Sequence, residues 1–197
     1  MATGVLVDAN VLYSRTLRDW LFLLRNETRG GMFTVYATED VLAETIYSYR
    51  RKNPRASGAQ IGQLRTRLIQ QLDDVVGNYE VDGTFRGNDP QDAHVHAAAV
   101  ASGAAVLLTC DRGFMELSDR ESDELPYEVF TPDSFFELVD DASAEAVIAV
   151  TREQLHYWYQ QDGEVDLPLR LREADCPNFA RRVSQHINQM TRTLPGL

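Results

Sequence analysis

Residues 88–114, NDPQDAHVHAAAVASGAAVLLTCDRGF, constrain the fold more than any other part of the chain. Asp89 and Pro90 predict the start of a helix, because Asp caps helices and Pro suits the first helical position. The helix continues through an alanine-rich run and stops at Gly103. Residues 105–108 are all apolar and predict a short strand that is buried on both faces. A helix followed by such a strand is typical of an α/β protein.

The same alternation recurs along the first 140 residues. Short apolar segments predict further strands at residues 4–7 and 127–130, and a short strand or an extended segment at residues 33–36. Apolar spacings of three and four predict helices between these segments, and the first carries its apolar residues at Leu17, Trp20, Leu21 and Leu24. The other predicted helices span residues 39–52, 59–76, 112–117 and 133–139. Thr38 caps the helix at 39–52, and Thr131 and Pro132 precede the helix at 133–139. Alternating strands and helices predict an α/β fold around a mostly parallel sheet.

The chain changes character after about residue 140. Ser143 can cap a helix, a polar linker containing proline follows, and Pro177 opens a second helix. We therefore expect a domain at residues 1–140 and a C-terminal helical extension at residues 141–197. Two explanations remain open for the apolar faces of these helices: packing in a core, or binding a partner helix.

Composition limits the class of protein. The 197 residues are 44% hydrophobic and 25% charged, which is typical of globular domains. No apolar run approaches the ~20 residues needed to cross a bilayer, and Asp8 interrupts the first apolar segment too early for a signal peptide. We expect a cytoplasmic protein without a membrane partner. Cys110 and Cys176 lack a zinc-binding spacing, and we expect Cys110, beside a buried strand, to be a packed thiol.

The formal net charge of −11 argues against tight non-specific binding of nucleic acid by the whole surface. One stretch is nevertheless basic, with Arg50, Arg51, Lys52, Arg55, Arg65 and Arg67. Arginine suits phosphate recognition, so this stretch is a candidate nucleic-acid contact. The alternative is a solvated helix face.

Acidic residues recur where strands end or helices begin. Asp8 follows the first strand directly, Asp111 comes shortly after the strand at 105–108, and Asp92 lies in the first turn of the preceding helix. Glu44 borders the apolar face of another helix. Ligands bind at the carboxyl edge of open α/β sheets, where such residues meet. Each acid also has a purely structural explanation: Asp8 and Asp111 as helix caps, Asp92 as a partner of the helix dipole, and Glu44 as a solvated side chain.

Several carboxylates at one edge repel one another unless a cation lies among them. Mg²⁺ and similar hard ions choose oxygen ligands, and such ions support phosphodiester cleavage. His94 and His96 do not form an obvious zinc pair, because helical residues two apart lie on different faces. We expect packed or surface histidines there.

Four segments, in this order, resemble a PIN domain: VDANVL at residues 7–12, VLAET around Glu44, the helix from Asp92, and TCDRGF at residues 109–114. The resemblance spans about residues 5–138. It implies an α/β/α sandwich and a nuclease that depends on Mg²⁺ or Mn²⁺. By this resemblance the acidic metal positions are Asp8, Glu44, Asp92 and Asp111, Asp89 is an outer fifth acid, and Asn10 and Thr109 support the site. Cys110 stands where a small residue is common.

Among PIN proteins, the chain is similar to VapC-type toxins of bacterial type II toxin–antitoxin systems, which cut RNA and are silenced by an antitoxin. The resemblance implies an RNA substrate, a cognate antitoxin and homodimer formation. The chain is longer than the compact toxins. Alternatives are a PIN nuclease in RNA processing or on DNA flaps, and a PIN-like module that binds RNA or protein without cutting. A phosphatase using an aspartyl phosphate fits poorly, because Asn10 stands where a second Asp is expected.

Overall fold

The computed structural model describes residues 2–87, 92–163 and 165–193. Within these residues the chain forms two compact units. One comprises the residues up to Ser14 together with Gly30–Thr131, and the other comprises Arg15–Arg29 together with the residues from Pro132 onward. The domain boundary that the sequence analysis places between residues 140 and 141 remains a prediction.

The first unit is built on a five-stranded sheet in which every strand pairs in parallel. The strands are β1 (Thr3–Val7), β2 (Phe33–Thr38), β3 (Asp74–Val76), β4 (Val106–Leu108) and β5 (Glu128–Phe130), in the order β3-β2-β1-β4-β5. Helices flank the sheet, so the predicted α/β class is confirmed. Since β1 lies between β2 and β4, the residue that follows β1 is flanked by the segments that follow its two neighbours.

The helices of this unit are α1 (Ala9–Tyr13), α3 (Glu39–Lys52), α4 (Gly58–Gln71), α5 (Ala93–Ser102), α6 (Arg112–Met115) and α7 (Asp119–Asp123). The predicted helix at 59–76 is wrong at its end, because residues 74–76 form the edge strand β3. Val75 and Val76 continue the apolar spacing of α4, which explains the error. Thr38 caps α3 as predicted, accepting the Val41 N–H at 3.0 Å.

The helix start predicted at Asp89 and Pro90 lies outside the described residues. The helix end is confirmed: Gly103 has a φ of +63°, a left-handed conformation that favours glycine. The next residues lead into β4, whose three side chains are all buried. Leu6 of β1 and Leu107 of β4 lie in one apolar cluster with Ala98 of α5. Small alanines let this helix lie close to the sheet.

The second unit is helical, with α2 (Arg15–Glu27), α8 (Pro132–Ala142), α9 (Ala144–Asp162), α10 (Leu167–Glu173) and α11 (Pro177–Thr193). Its core contains Trp20, Phe136 and Phe179, and the Trp20 and Phe179 rings lie edge to face with centroids 4.9 Å apart. The predicted linker between the tail helices contains α10, which Asp166 caps. Among the described residues, no helix combines the length and apolar character needed to cross a membrane.

Candidate metal centre

Asp8 lies directly after β1 and is buried, with 7% of its surface exposed. Its Oδ1 accepts the Ala9 N–H at 2.6 Å, so Asp8 caps α1. Its Oδ2 accepts two further hydrogen bonds, from the Thr109 hydroxyl at 2.7 Å and from Asn10 Nδ2 at 2.6 Å. Both oxygens of this carboxylate are therefore fixed by the strand end and its neighbours. Capping and a role in a metal site are compatible, since one carboxylate has about four lone-pair positions.

Thr109 and Asn10 connect the ends of β1 and β4. The fully buried Thr109 hydroxyl donates to Asp8 and accepts the Asp111 N–H at 2.9 Å and Asn10 Nδ2 at 3.2 Å. Asn10 Oδ1 accepts the Cys110 N–H at 3.0 Å. One donor and two acceptor positions are what a hydroxyl group offers, so Thr109 uses its full capacity here. These contacts fix the positions of Asp8 and Asp111 relative to each other.

Asp92 and Asp111 approach each other over Gly113. Asp111 Oδ1 accepts the Gly113 N–H at 2.6 Å and caps α6. Asp92 stands immediately before α5, is 9% exposed, and makes no capping hydrogen bond with its side chain. A Cβ atom on Gly113 would lie 2.6 Å from Asp92 Oδ2 and 3.1 Å from Asp111 Oδ1. Two carboxylate oxygens thus lie within 3.1 Å of a single point, which only a glycine leaves free.

Glu44 lies on α3, which follows β2, and its side chain is 52% exposed. His94 Nε2 lies 3.6 Å from Glu44 Oε1, and the side chain of His94 is 20% exposed. The charge of Asp8 acts on Glu44, and that of His94 acts on both acids. Glu44 therefore belongs to the same group of charges as Asp8 and forms its more exposed side.

Burial and the repulsion of neighbouring carboxylates raise the pKa values of Asp8 and Glu44. For Asp8 the largest cause is burial, which outweighs the hydrogen bonds from Thr109 and Ala9, while the charge of Asp111 also raises the pKa. For Glu44 burial again raises the pKa, with the charges of Asp8 and Asp40 acting in the same direction and His94 opposing them. Negative charge is therefore costly here, and a cation would relieve the cost.

Some predicted site residues have other outcomes. Asp89 lies outside the described residues. His96 is packed, as expected: its Nδ1 lies 2.7 Å from the Tyr127 hydroxyl and its Nε2 lies 3.2 Å from Thr84 Oγ1. The prediction of a packed Cys110 is wrong, because this thiol is exposed past the end of β4. The strand ends two residues earlier, so its burial does not extend to Cys110.

The candidate basic residues divide by their contacts. Arg50 donates to the Ala56 carbonyl oxygen at 2.8 Å, which links the end of α3 to the segment that follows it. The Arg51 guanidinium lies 5.8 Å from the centre of the Tyr47 ring, and Lys52 Nζ lies 4.8 Å from that of Tyr13. Arg55 is exposed between α3 and α4. Contact with nucleic acid stays a prediction for all four.

A comparison with known protein families matches residues 4–113 to the PIN domain. The match covers more than half of the chain and contains all four predicted acids. This chain belongs to the PIN domain family. The family is one of nucleases, so at a coarse level the chain has a hydrolase fold, and PIN domains usually bind divalent metals. Neither the curated proteins nor the solved structures contain a significant match.

The described acids of this PIN domain are not arranged as a complete set of metal ligands. Among the residues that the structure describes, no three acidic, histidine or cysteine side chains are arranged to hold an ion. The chemistry of the donors nevertheless fits a hard cation, because Asp8, Asp92 and Asp111 offer only carboxylate oxygens. Mg²⁺ commonly binds through one or two carboxylates and keeps several waters.

Sequence reasoning missed two residues of this PIN domain site. The TCDRGF motif includes Gly113 but does not indicate that its missing side chain makes room for two carboxylates. The sequence predicts packed or surface histidines at 94 and 96, yet His94 Nε2 lies 3.6 Å from Glu44 Oε1. The position of His94 in the first turn of α5, rather than its spacing from Asp92, could have signalled the second.

Proposed function

We propose that this PIN domain is a metal-dependent endoribonuclease that hydrolyses RNA phosphodiester bonds. The observation that carries the proposal is the convergence of Asp92 and Asp111 over Gly113, beside the buried Asp8. Burial and the charge of Asp111 both raise the pKa of Asp8, so negative charge is costly at this point of the site. A role in binding a cation explains why the chain keeps all three.

Asp8, Asp92 and Asp111 would hold one or two Mg²⁺ or Mn²⁺ ions, with water completing the coordination. When bound, such an ion supplies a Lewis acid that stabilises negative charge on the phosphate and makes a coordinated water more acidic. Thr109 and Asn10 fix the oxygens of Asp8 by hydrogen bonds, which orients this ligand, and the bond from Thr109 opposes the effect of burial on its pKa.

Glu44 suits a different role from that of the three aspartates. It is the most exposed of the four acids, so its carboxylate is open to water and to a bound substrate. An ionised carboxylate in such a position can accept a proton from the attacking water. In this proposal Glu44 takes a proton from the attacking water, and His94, 3.6 Å away, orients the carboxylate. The water then attacks the phosphorus in line with the leaving 3′ oxygen.

The metal-site proposal is tested by removing one negative charge at a time. Asp92→Asn and Asp111→Asn keep the size of each side chain. We expect each to lower the RNA cleavage rate by at least about 100-fold, because even loss of an outer partner costs metal sites 10–100-fold. Asp123→Asn, on the exposed surface of α7, makes the same charge change and should cleave at the wild-type rate. Full activity in both folded site variants would disprove the assignment.

We further propose that the protein is the toxin of a toxin–antitoxin pair, with a cognate antitoxin as its partner. This role is supported by the resemblance of the four acidic motifs to those of such toxins. Induced expression should arrest the growth of a bacterial host, and Asp111→Asn at the same protein level should not. Normal growth with active, soluble wild-type protein would favour a PIN nuclease of RNA processing instead.

A further inference from the structure

One face of α3 continues from Glu44 away from the acidic site. Tyr47 and Arg51 follow Glu44 by three and seven residues, so the three side chains lie on the same side of the helix. Tyr47 is 64% exposed, which is high for a residue with a large ring. The Arg51 guanidinium lies 5.8 Å from the centre of this ring, within the range of a cation–π contact. An open aromatic ring and a cation therefore lie about one and two helical turns from a site acid.

A second pair of a cation and an aromatic ring joins α3 to the neighbouring helix α1. Lys52 Nζ lies 4.8 Å from the ring centre of Tyr13, the last residue of α1. Asp8 caps the start of α1, and Glu44 lies on α3. Tyr47 thus lies on the helix that carries Glu44, and Tyr13 lies on the helix that Asp8 caps. Both cations come from the end of α3.

Two other basic side chains nearby, those of Arg50 and Arg65, are engaged in contacts that hold the fold. Arg50 donates to the Ala56 carbonyl oxygen, and Arg65 donates to both carboxylate oxygens of Glu39 at 2.8 Å. Arg51 and Lys52 instead lie over aromatic rings, where a guanidinium or ammonium keeps donors for a phosphate. The protein carries a net charge of −11, so a polyanionic substrate needs local cations beside the acids.

We propose that Tyr47 and Arg51 form a binding platform for single-stranded RNA next to the acidic site. An unpaired base stacks on the Tyr47 ring, and Arg51 and Lys52 contact the adjoining phosphates. Stacking on an open ring requires a base that is not stacked within a duplex. This inference rests on the proposed nuclease function and adds the residues outside the acidic site that would bind the RNA strand.

The test is binding of a labelled single-stranded RNA, measured by fluorescence anisotropy with Ca²⁺ in place of Mg²⁺ and with the probe checked on a gel to be intact. The same RNA annealed to its complement is the second probe. We expect Tyr47→Ala to weaken binding of the single strand by about five- to tenfold, the lower range for loss of one stacked base. The duplex should bind as before, and Tyr47→Phe should restore the affinity.

Arg51→Ala should weaken binding of the single strand and reduce the slope of log affinity against log salt by about 0.7, the value for one phosphate contact. Arg50→Ala removes the same charge one residue away and is the matched control, for which we expect a smaller effect. Because the Tyr47 and Arg51 side chains are exposed, melting temperatures should stay at the wild-type value.

Three results would overturn the platform: wild-type affinity in Tyr47→Ala, equal losses for single strand and duplex, or no binding of single-stranded RNA by the wild type. Unchanged RNA binding together with lost inhibition by an antitoxin would make this face a protein-docking surface. Cleavage by the wild type is measured separately. If the wild type cleaves RNA and Tyr47→Ala does so with unchanged kcat/KM, only the platform fails; if the wild type binds through Tyr47 but does not cleave, only the nuclease proposal fails.

Discussion

Replacing Gly113 by alanine tests the geometry of the site without touching a carboxylate. The new Cβ would lie 2.6 Å from Asp92 Oδ2, whereas ordinary contacts begin at 3.4 Å, so this oxygen must move by about 0.8 Å. A displacement of about 1 Å can cost an enzyme about 100-fold in rate. We expect kcat/KM for RNA cleavage to fall between about 10- and 100-fold, or about 1.4–2.7 kcal/mol in the barrier.

The fold itself should tolerate Gly113→Ala. Gly113 lies in α6 without a positive φ, and its N–H can still donate to Asp111. Alanine in a helix is favoured over glycine by up to about 1 kcal/mol, which offsets the local crowding. The control is Gly62→Ala in α4, where an added Cβ meets nothing within 4 Å. Both variants should melt near or above the wild-type temperature, and only Gly113→Ala should lose activity. Wild-type kcat/KM in a folded Gly113→Ala protein would refute the convergence of the two carboxylates on one ion.

Three further measurements probe other contacts. In thermal melts without RNA, Mn²⁺ at 100 times its Kd should stabilise the wild type by about 2.7 kcal/mol, and the same concentration should stabilise Asp111→Asn far less; an equal shift in both would place the ion elsewhere. Thr109→Val removes the hydroxyl that joins Asp8 to the Asp111 N–H and should lower stability by about 1–3 kcal/mol, whereas Thr109→Ser should retain most of it; denaturant unfolding of the two variants decides this. Asp133→Ala removes the acceptor of the Phe179 N–H at 2.8 Å and should lower stability by about 0.5–2 kcal/mol, so an unchanged unfolding midpoint would contradict a capping role.

The fold could be predicted where local chemistry and packing agree. The strands β1 and β4 are short, apolar and bounded by glycine or polar residues, and Thr38 marks the start of α3. The edge strand β3 was missed because its two valines also satisfy the helical spacing of α4. The strand order was not predictable in the same way, since pairing of distant strands leaves no local pattern. α10 was missed because its short apolar set, Leu167 and Leu171, lies in a polar segment.

The site was predictable at the level of single acids. Asp8 and Asp111 follow strands that were recognised, so their positions at the carboxyl edge follow from the parallel sheet. The hydrogen bond from Thr109 to Asp8 joins residues 101 positions apart, and no local pattern could give its geometry. The role of Gly113 depends on where Asp92 comes to lie, which the sheet order decides. Contacts of this kind arise only when the strands have assembled.

The measurement that tests the central claim most directly is cleavage of a mixed RNA pool by the purified protein with Mn²⁺, with Mg²⁺ and with EDTA, beside Asp92→Asn. The account predicts cleavage that requires a metal ion, stops in EDTA, returns when the metal is restored and is lost in the folded variant. Cleavage that continues in EDTA, or equally in Asp92→Asn, would contradict a metal-dependent nuclease built on these acids.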